Sequence, residues 1–205
     1  MADFTICNLC APPGNFDNAT EVKRVRSNVR KFQGETFTVW RCARCGSLHS
    51  KEAVCLDYYY QHYPINNHQM DGVTRLAYQN RMRALQRCGV GKGAKFLDYG
   101  CGHGVFVSFL DQCGYEAYGY DAYVDSYADE RALDASYDVI TAYDVIEHVD
   151  DPGELFRQLI RYLNPGGLLV IGTPAADQLD LADPESFIME LHQPYHRHTR
   201  WRFAE

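Results

Sequence analysis

No apolar run in the 205-residue chain approaches the roughly 20 residues that a bilayer-spanning helix needs. The longest runs, 105–110 and 168–172, have the length of a core strand or helix. The start, Met1-Ala-Asp3-Phe-Thr, lacks the basic flank and the apolar stretch of a secretory leader. These absences set a cytoplasmic, reducing home as the expectation, and there the eight cysteines do not read as a disulfide framework. Positive charge is also in short supply. Twenty Lys and Arg against 27 Asp and Glu give −7, which argues against a protein that coats nucleic acid. Internal repeats and low-complexity tracts are missing as well. What remains is a composition of 46% hydrophobic, 13% aromatic and 23% charged residues, that of a globular protein with a sizeable core. The charge is unevenly spread. Residues 1–56 hold eight basic and five acidic side chains, and the rest of the chain 12 and 22, so two units with different jobs are expected.

Four cysteines fall in two pairs, Cys7-x-x-Cys10 and Cys42-x-x-Cys45, separated by 31 residues. Two residues between thiolates let both sulfurs turn toward one ion, and two such knuckles complete the tetrahedral set that structural zinc favours. Between them, Glu35-Thr-Phe-Thr-Val-Trp40 alternates as a strand does, and Gly46 stands where the chain must turn after the second pair. Residues 1–56 resemble a zinc ribbon with Cys7, Cys10, Cys42 and Cys45 as ligands. Cys55, Cys88, Cys101 and Cys113 show no pairing and read as core residues.

Residues 57–92 read as an aromatic linker, including Tyr58, Tyr59, Tyr60 and Tyr63, and then a helix. In that helix Leu76, Met82 and Leu85 recur from Gly72 until Cys88-Gly89. From Gly93 the pattern becomes α/β. Strands are expected at 96–97, 117–120, 137–141 and 168–173, with a helix at 105–112. A second helix has Asp151 as N-cap, Pro152 first and Glu154 as capping-box partner. Its expected apolar stripe is Leu155, Phe156, Leu159, Ile160 and Leu163, with Asn164-Pro-Gly-Gly167 as the stop. Strands alternating with helices imply a mostly parallel sheet with its ligand at the strand C-terminal ends.

The most informative stretch is Phe96-Leu-Asp98-Tyr-Gly100-Cys-Gly102-His-Gly104, a strand ending in an acid followed by alternate glycines. A dinucleotide fingerprint would need glycine at 105, where Val stands, and a P-loop would need Gly-Lys-Ser/Thr. The stretch resembles the first motif of class I S-adenosylmethionine-dependent methyltransferases, and the resemblance runs from about Gly93 to the end. It implies a Rossmann-like sheet over 93–205, with Asp98, Gly100, Gly102 and Gly104 around the methionine and ribose portion of the cofactor. It also implies that Asp121, ending Tyr118-Gly-Tyr-Asp121, holds the ribose hydroxyls. The stretches Tyr137 to Pro152 and Asn164 to Pro174 resemble the fourth- and fifth-strand motifs, and the first places Asp144 in the cofactor site. Only sixteen residues separate Asp121 from Asp138, too few for the usual helix and third strand. If Ala128-Asp129 stands where that strand ends, Asp129 meets the adenine amino group. A solvated loop acid is the other reading.

Methyl transfer from a sulfonium is an in-line displacement, accelerated mostly by positioning, and a base helps when the acceptor is a hydroxyl or an acidic carbon. His148 is the first candidate base, and bracing the cofactor loop is its alternative role. His196 and His198, in His192-Gln-Pro-Tyr195-His196-Arg-His198, are placed by the resemblance over the acceptor pocket. Were the chain α-helical after the fourth strand, Asp144, Glu147 and His148 would share a face and could bind Mg2+; some quinone-precursor O-methyltransferases look similar at these positions.

A ribbon ahead of such a domain resembles enzymes acting on small molecules, including sugar-nucleotide C-methyltransferases. Lys23, Arg24, Arg26, Arg30 and Lys31 would suit phosphates on the substrate, or form a solvated basic face. The expectation is a methyltransferase acting on carbon or oxygen of a small acceptor, without membrane or nucleic-acid partners. An RNA or protein methyltransferase guided by the ribbon, and a non-catalytic binder of the cofactor or a partner, are the alternatives. After the fifth strand, 32 residues leave no room for the final strands of the family, so a C-terminally short domain, with an uncovered sheet edge prone to self-association, is expected.

Overall fold

The alternation along residues 36–41 decides the first part of the fold. In the computed structural model, which describes residues 3–27, 32, 34–53, 69–173, 176, 179, 181 and 182, this stretch is the centre of a three-stranded antiparallel sheet. The strands are β1 (Glu21–Arg26), β2 (Thr36–Arg41) and β3 (Leu48–Ser50), in that order. β2 pairs on both sides, with Val39 opposite Lys23 and Ser50. Its period of two sorts the side chains. Val39 faces Val25, Leu48, Ala176, Leu179 and Leu181, whereas Trp40 packs against Cys7 and Cys42. The Trp40 indole, fully buried, meets Phe16 edge-on at 6.0 Å and donates from Nε1 to the Phe4 carbonyl at 3.2 Å. Arg41 donates to the carbonyls of Ala176 (2.9 Å) and Leu179 (2.7 Å) and pairs with Glu21, so one guanidinium ties the covering segment to the sheet. These residues form one compact unit, 1–63 with 146–153 and 173–205, and residues 64–145 with 154–172 form another.

The second unit is the α/β expectation realised. Its elements run α1 (Gly72–Arg87), β4 (Lys95–Tyr99), α2 (Val105–Gln112), β5 (Glu116–Tyr120), β6 (Tyr137–Tyr143), α3 (Pro152–Arg161), whose first turn belongs to the first unit, and β7 (Leu163–Gly172). The strands are parallel in the order β5-β4-β6-β7, and the 16, 16 and 19 residues between successive strands are long enough for the crossovers that parallel pairing needs. Asp71 caps α1 by accepting from the Thr74 N–H at 2.7 Å, and Gly89, at φ 93°, turns the chain beyond its end. Tyr78, Met82 and Leu85 of α1 and Phe106, Phe109 and Leu110 of α2 close on Phe96 and Val139. Each such burial contributes roughly 1.5–3 kcal/mol, enough to override the weak helix propensity of aromatic residues.

Several expectations are corrected. Leu76 and Ile160 are exposed, because the buried faces of α1 and α3 run through Tyr78 and Leu159 instead. Asn164-Pro-Gly-Gly167 does not precede the last strand but lies within β7, where Leu163 pairs with Tyr137 and the register shifts before Val139 pairs with Leu168. Cys88 and Cys113 are exposed rather than core, since they close the C-terminal ends of α1 and α2. Residues 121–136 contain no strand; Asp129 caps a short 3-10 turn, Glu130–Leu133. β1 and β3 were not expected. Cys55 and the tyrosines 58–63 lie outside the described residues. Among the described residues, no helix is long and apolar enough to cross a membrane.

Candidate functional site

At the C-terminal end of β4 the chain passes through three left-handed glycines, Gly100 (φ 76°), Gly102 (54°) and Gly104 (71°), before entering α2. Crowding explains two of them. A Cβ on Gly100 would lie 2.3 Å from Val145 Cγ2, and one on Gly104 would lie 1.9 Å from Tyr127 Oη. Gly119 of β5 serves the same ring, since its Cβ would stand 2.8 Å from Tyr127 Cδ1. Tyr127 therefore fills a notch made by two glycines distant in sequence, and its carbonyl accepts from the Asp121 N–H at 3.0 Å.

Asp121 follows β5 and holds the loop directly. Its Oδ2 accepts from the Gly102 N–H at 2.8 Å and its Oδ1 from the Tyr123 N–H at 2.9 Å. Each carboxylate oxygen keeps a second lone pair for a hydroxyl donor. Asp98, buried at the end of β4, accepts from the Thr141 hydroxyl of β6 at 2.6 Å. Burial pushes the Asp98 carboxyl up to about 6; the Thr141 bond and the Arg81 charge oppose that rise, and the Asp121 charge adds to it. Arg81, from α1, stacks its guanidinium 3.7 Å from the Tyr143 ring centre, with Tyr78 at 5.3 Å and Phe106 at 5.9 Å. The strand ends thus gather two carboxylates, one guanidinium and a loop of exposed backbone, an arrangement suited to a ligand with hydroxyls and both signs of charge.

The structure brings Asp98, Gly100, Gly102, Gly104 and Asp121 together as expected from the sequence pattern. Asp144 sits at the end of β6, exposed, with a left-handed φ of 55° and its N–H bonded to the Gly172 carbonyl at 2.7 Å. That φ breaks any α-helix, and the next turn, Ile146–His148, is a 3-10 turn with Glu147 buried. Asp144, Glu147 and His148 therefore do not share an α-helical face, and among the described residues they form no metal-holding group. The helical face on which the Mg2+ expectation depends is absent from this turn. Asp129 is exposed and chelates the Arg131 guanidinium through both oxygens, at 2.9 and 2.8 Å from Nε, which holds its carboxyl down at about 2. His196 and His198 lie outside the described residues, as do Arg30 and Lys31. Arg81, Thr141 and Tyr127 escaped the sequence reading. A polar Thr within an apolar strand was the one signal available, and Asp98 pairs with Thr141 across the sheet.

In the other unit the sulfurs of Cys7, Cys10, Cys42 and Cys45 all lie within 4.8 Å of one another. Three of the separations are 3.7 Å (Cys7 to Cys45), 3.6 Å (Cys7 to Cys10) and 3.8 Å (Cys10 to Cys42). A tetrahedron with zinc–sulfur bonds of about 2.3 Å has edges of roughly 3.8 Å, so the donor set fits that ion. Burial pushes the Cys7, Cys10 and Cys45 thiols up. At Cys42 burial is outweighed by the N–H donors of Cys45 and Arg44, which bring it down. Gly46, at φ 75°, donates its N–H to the Cys42 carbonyl at 2.9 Å and makes the knuckle's turn. A Cβ at Gly14 would lie 2.4 Å from Cys42 Sγ, so the facing loop approaches as only glycine can.

Residues 67–204 match the family of methyltransferase domains. Similar curated proteins are the ubiquinone biosynthesis O-methyltransferases of Caulobacter sp. (strain K31), 30% identical over 40% of this chain and 41% of its own, and of Caulobacter vibrioides, 31% identical with the same coverage. The mitochondrial enzyme of that name from Schizosaccharomyces pombe is 26% identical over 49% of this chain and 44% of its own. The match thus spans about two-fifths of these relatives' length. Among solved structures, the magnesium protoporphyrin IX methyltransferase of Synechocystis PCC 6803, with bound SAH, covers 71% of this chain and 78% of its own at 16% identity and a TM-score of 0.47. With two-thirds of its length inside the matched family and the glycine loop and carboxylates where the motif put them, the chain belongs to the methyltransferase-domain family.

Proposed function

We propose that the chain is an S-adenosylmethionine-dependent methyltransferase acting on oxygen or carbon of a small molecule, with a structural zinc ion held by Cys7, Cys10, Cys42 and Cys45. The observation that carries the first part is the Asp121 carboxylate, which grips the Gly102 N–H at the end of a parallel strand with lone pairs still free for two ribose hydroxyls. Gly102, where a Cβ would meet nothing within 4 Å, gives the methionine and ribose portion access to bare backbone, Gly104 makes room for the Tyr127 ring that backs the loop, and Asp98 and Arg81 offer opposite charges to the cofactor's ammonium and carboxylate. The cofactor supplies an electrophilic methyl group, and the chain's own residues fix its direction of approach. His148, in the turn that follows β6, is the base assigned to deprotonate a hydroxyl acceptor. The similar ubiquinone biosynthesis O-methyltransferases favour oxygen as the acceptor atom. The zinc reading rests on sulfur separations near 3.7 Å among two buried and two half-buried cysteines, because four thiolates so close repel one another unless a divalent cation lies among them.

Calorimetry with S-adenosylmethionine and its demethylated product tests the cofactor. Binding by the wild type and loss in Asp121→Ala is the expected result, and no binding by the wild type ends the reading. Labelled-methyl transfer to a panel of catechols, phenols and nucleotide sugars, repeated with His148→Ala, tests the reaction. Metal analysis returning one zinc per chain tests the cysteine site.

A further inference from the structure

The sulfur cluster has a polar support that no sequence pattern announced. Ser47, two residues past Cys45 and fully buried, places Oγ 2.9 Å from Cys45 Sγ and 3.7 Å from Cys7 Sγ. Behind it, His49 of β3 lies with Nε2 2.8 Å from the same Oγ. The His49 ring, 1% exposed, stacks on Trp40 at 4.6 Å between ring centres, its cross-strand partner in the ladder. Burying a hydroxyl and an imidazole beside Trp40 and Leu48 is costly unless both are hydrogen-bonded, so their presence in this small core calls for a task.

We infer that His49, Ser47 and Cys45 form a buried donor chain that steadies the metal-bound thiolate and sets how firmly the four-cysteine site retains its zinc. The inference rests on the zinc reading above. Its logic is the inventory of hydrogens. A metal-bound thiolate only accepts, so Ser47 spends its single hydrogen on Cys45. Ser47 Oγ must then accept from His49, which places a hydrogen on Nε2. The stack on Trp40 fixes the plane of that imidazole, and so aims the chain at the sulfur. A hydrogen bond draws charge from the thiolate and orients its lone pairs, and removing such an outer partner typically weakens metal affinity about 10–100-fold. Ser47 and His49 are positioning residues in this scheme, since neither is a metal ligand.

The full-length chain is loaded with zinc alone, and affinity and release are measured by competition with a colorimetric chelator. Cobalt substitution reads the thiolate-to-metal charge-transfer band in parallel. Ser47→Ala is nearly isosteric and keeps the fold. It is expected to bind one zinc about 10–100-fold more weakly, to release it faster and to shift the cobalt band. Ser47→Thr, which restores the hydroxyl, is expected to return the affinity toward that of the wild type, and His49→Phe to behave as Ser47→Ala. Nitrogen chemical shifts of His49 in the zinc form are expected to report hydrogen on Nε2. Wild-type zinc affinity and an unchanged cobalt band in both Ser47→Ala and His49→Phe overturn the donor chain while leaving the zinc reading intact. A wild-type chain that takes up no zinc overturns both.

Discussion

The Thr141 hydroxyl donates a 2.6 Å hydrogen bond to Asp98 across neighbouring strands, yet burial outweighs the bond and pushes the Asp98 carboxyl up to about 6. An acid raised in the folded state binds its proton there before the unfolded chain does. Stability contributed by that proton is present at low pH and is lost as pH rises from the ordinary carboxylate range through about 6. The sign for the cofactor is opposite. A cationic ammonium favours the carboxylate, so S-adenosylmethionine affinity is expected to fall as pH drops from 7.5 to 5.5, with proton release on binding near pH 6. Calorimetry in two buffers of different ionisation enthalpy measures that release. An affinity flat across the range, or as steep in Asp98→Asn as in the wild type, contradicts the assignment.

Gly104 and Gly114 offer a controlled comparison. Both are left-handed, at φ 71° and 84°, but a Cβ at Gly114 meets nothing within 4 Å, whereas one at Gly104 runs into the Tyr127 ring. Gly114→Ala is expected to cost about 1 kcal/mol, the left-handed penalty alone. Gly104→Ala adds overpacking of about 1–3 kcal/mol and a displaced cofactor loop. Urea midpoints and cofactor affinity read both, and Tyr127→Ala is expected to recover part of the stability lost in Gly104→Ala. Equal losses at the two glycines would refute the notch.

Leu159 and Ile160 are neighbours with opposite fates on α3. Leu159 is fully buried and Ile160 is 48% exposed. Leu159→Ala is expected to cost about 2–5 kcal/mol and Ile160→Ala well under 1, measured by chemical denaturation. The sequence alone could not separate them, because both suit an apolar stripe and only the sheet decides where its edge falls.

The same limit explains what was legible. α2 was read to its observed bounds and β4, β5 and β6 to within two residues, because buried parallel strands and an apolar helix announce themselves locally. β1, Glu21-Val-Lys-Arg-Val-Arg26, carries charge at four of its six positions and became a strand through pairing with β2. Asp121 and the glycines were found because the motif keeps them close in sequence. Arg81 and Tyr127 reach the site through packing over distances that no motif spans.

Trp40 makes the metal testable by light. Its indole is fully buried against Cys7 and Cys42, so the sulfur cluster and the aromatic core of this unit are one packed body. Removing zinc leaves four crowded thiols that must separate or protonate, and either change loosens the wall of the Trp40 pocket. Chelation is expected to shift Trp40 emission to the red and lower its anisotropy, with Trp201→Phe as the background since the chain has two tryptophans. Gly14→Ala is expected to reproduce part of the effect without chelator, because its Cβ would stand 2.4 Å from Cys42 Sγ and must push that ligand aside. Cys42→Ser is expected to lose zinc and show the full shift. If zinc leaves, by metal analysis, while the Trp40 emission holds, the cysteines do not brace this core.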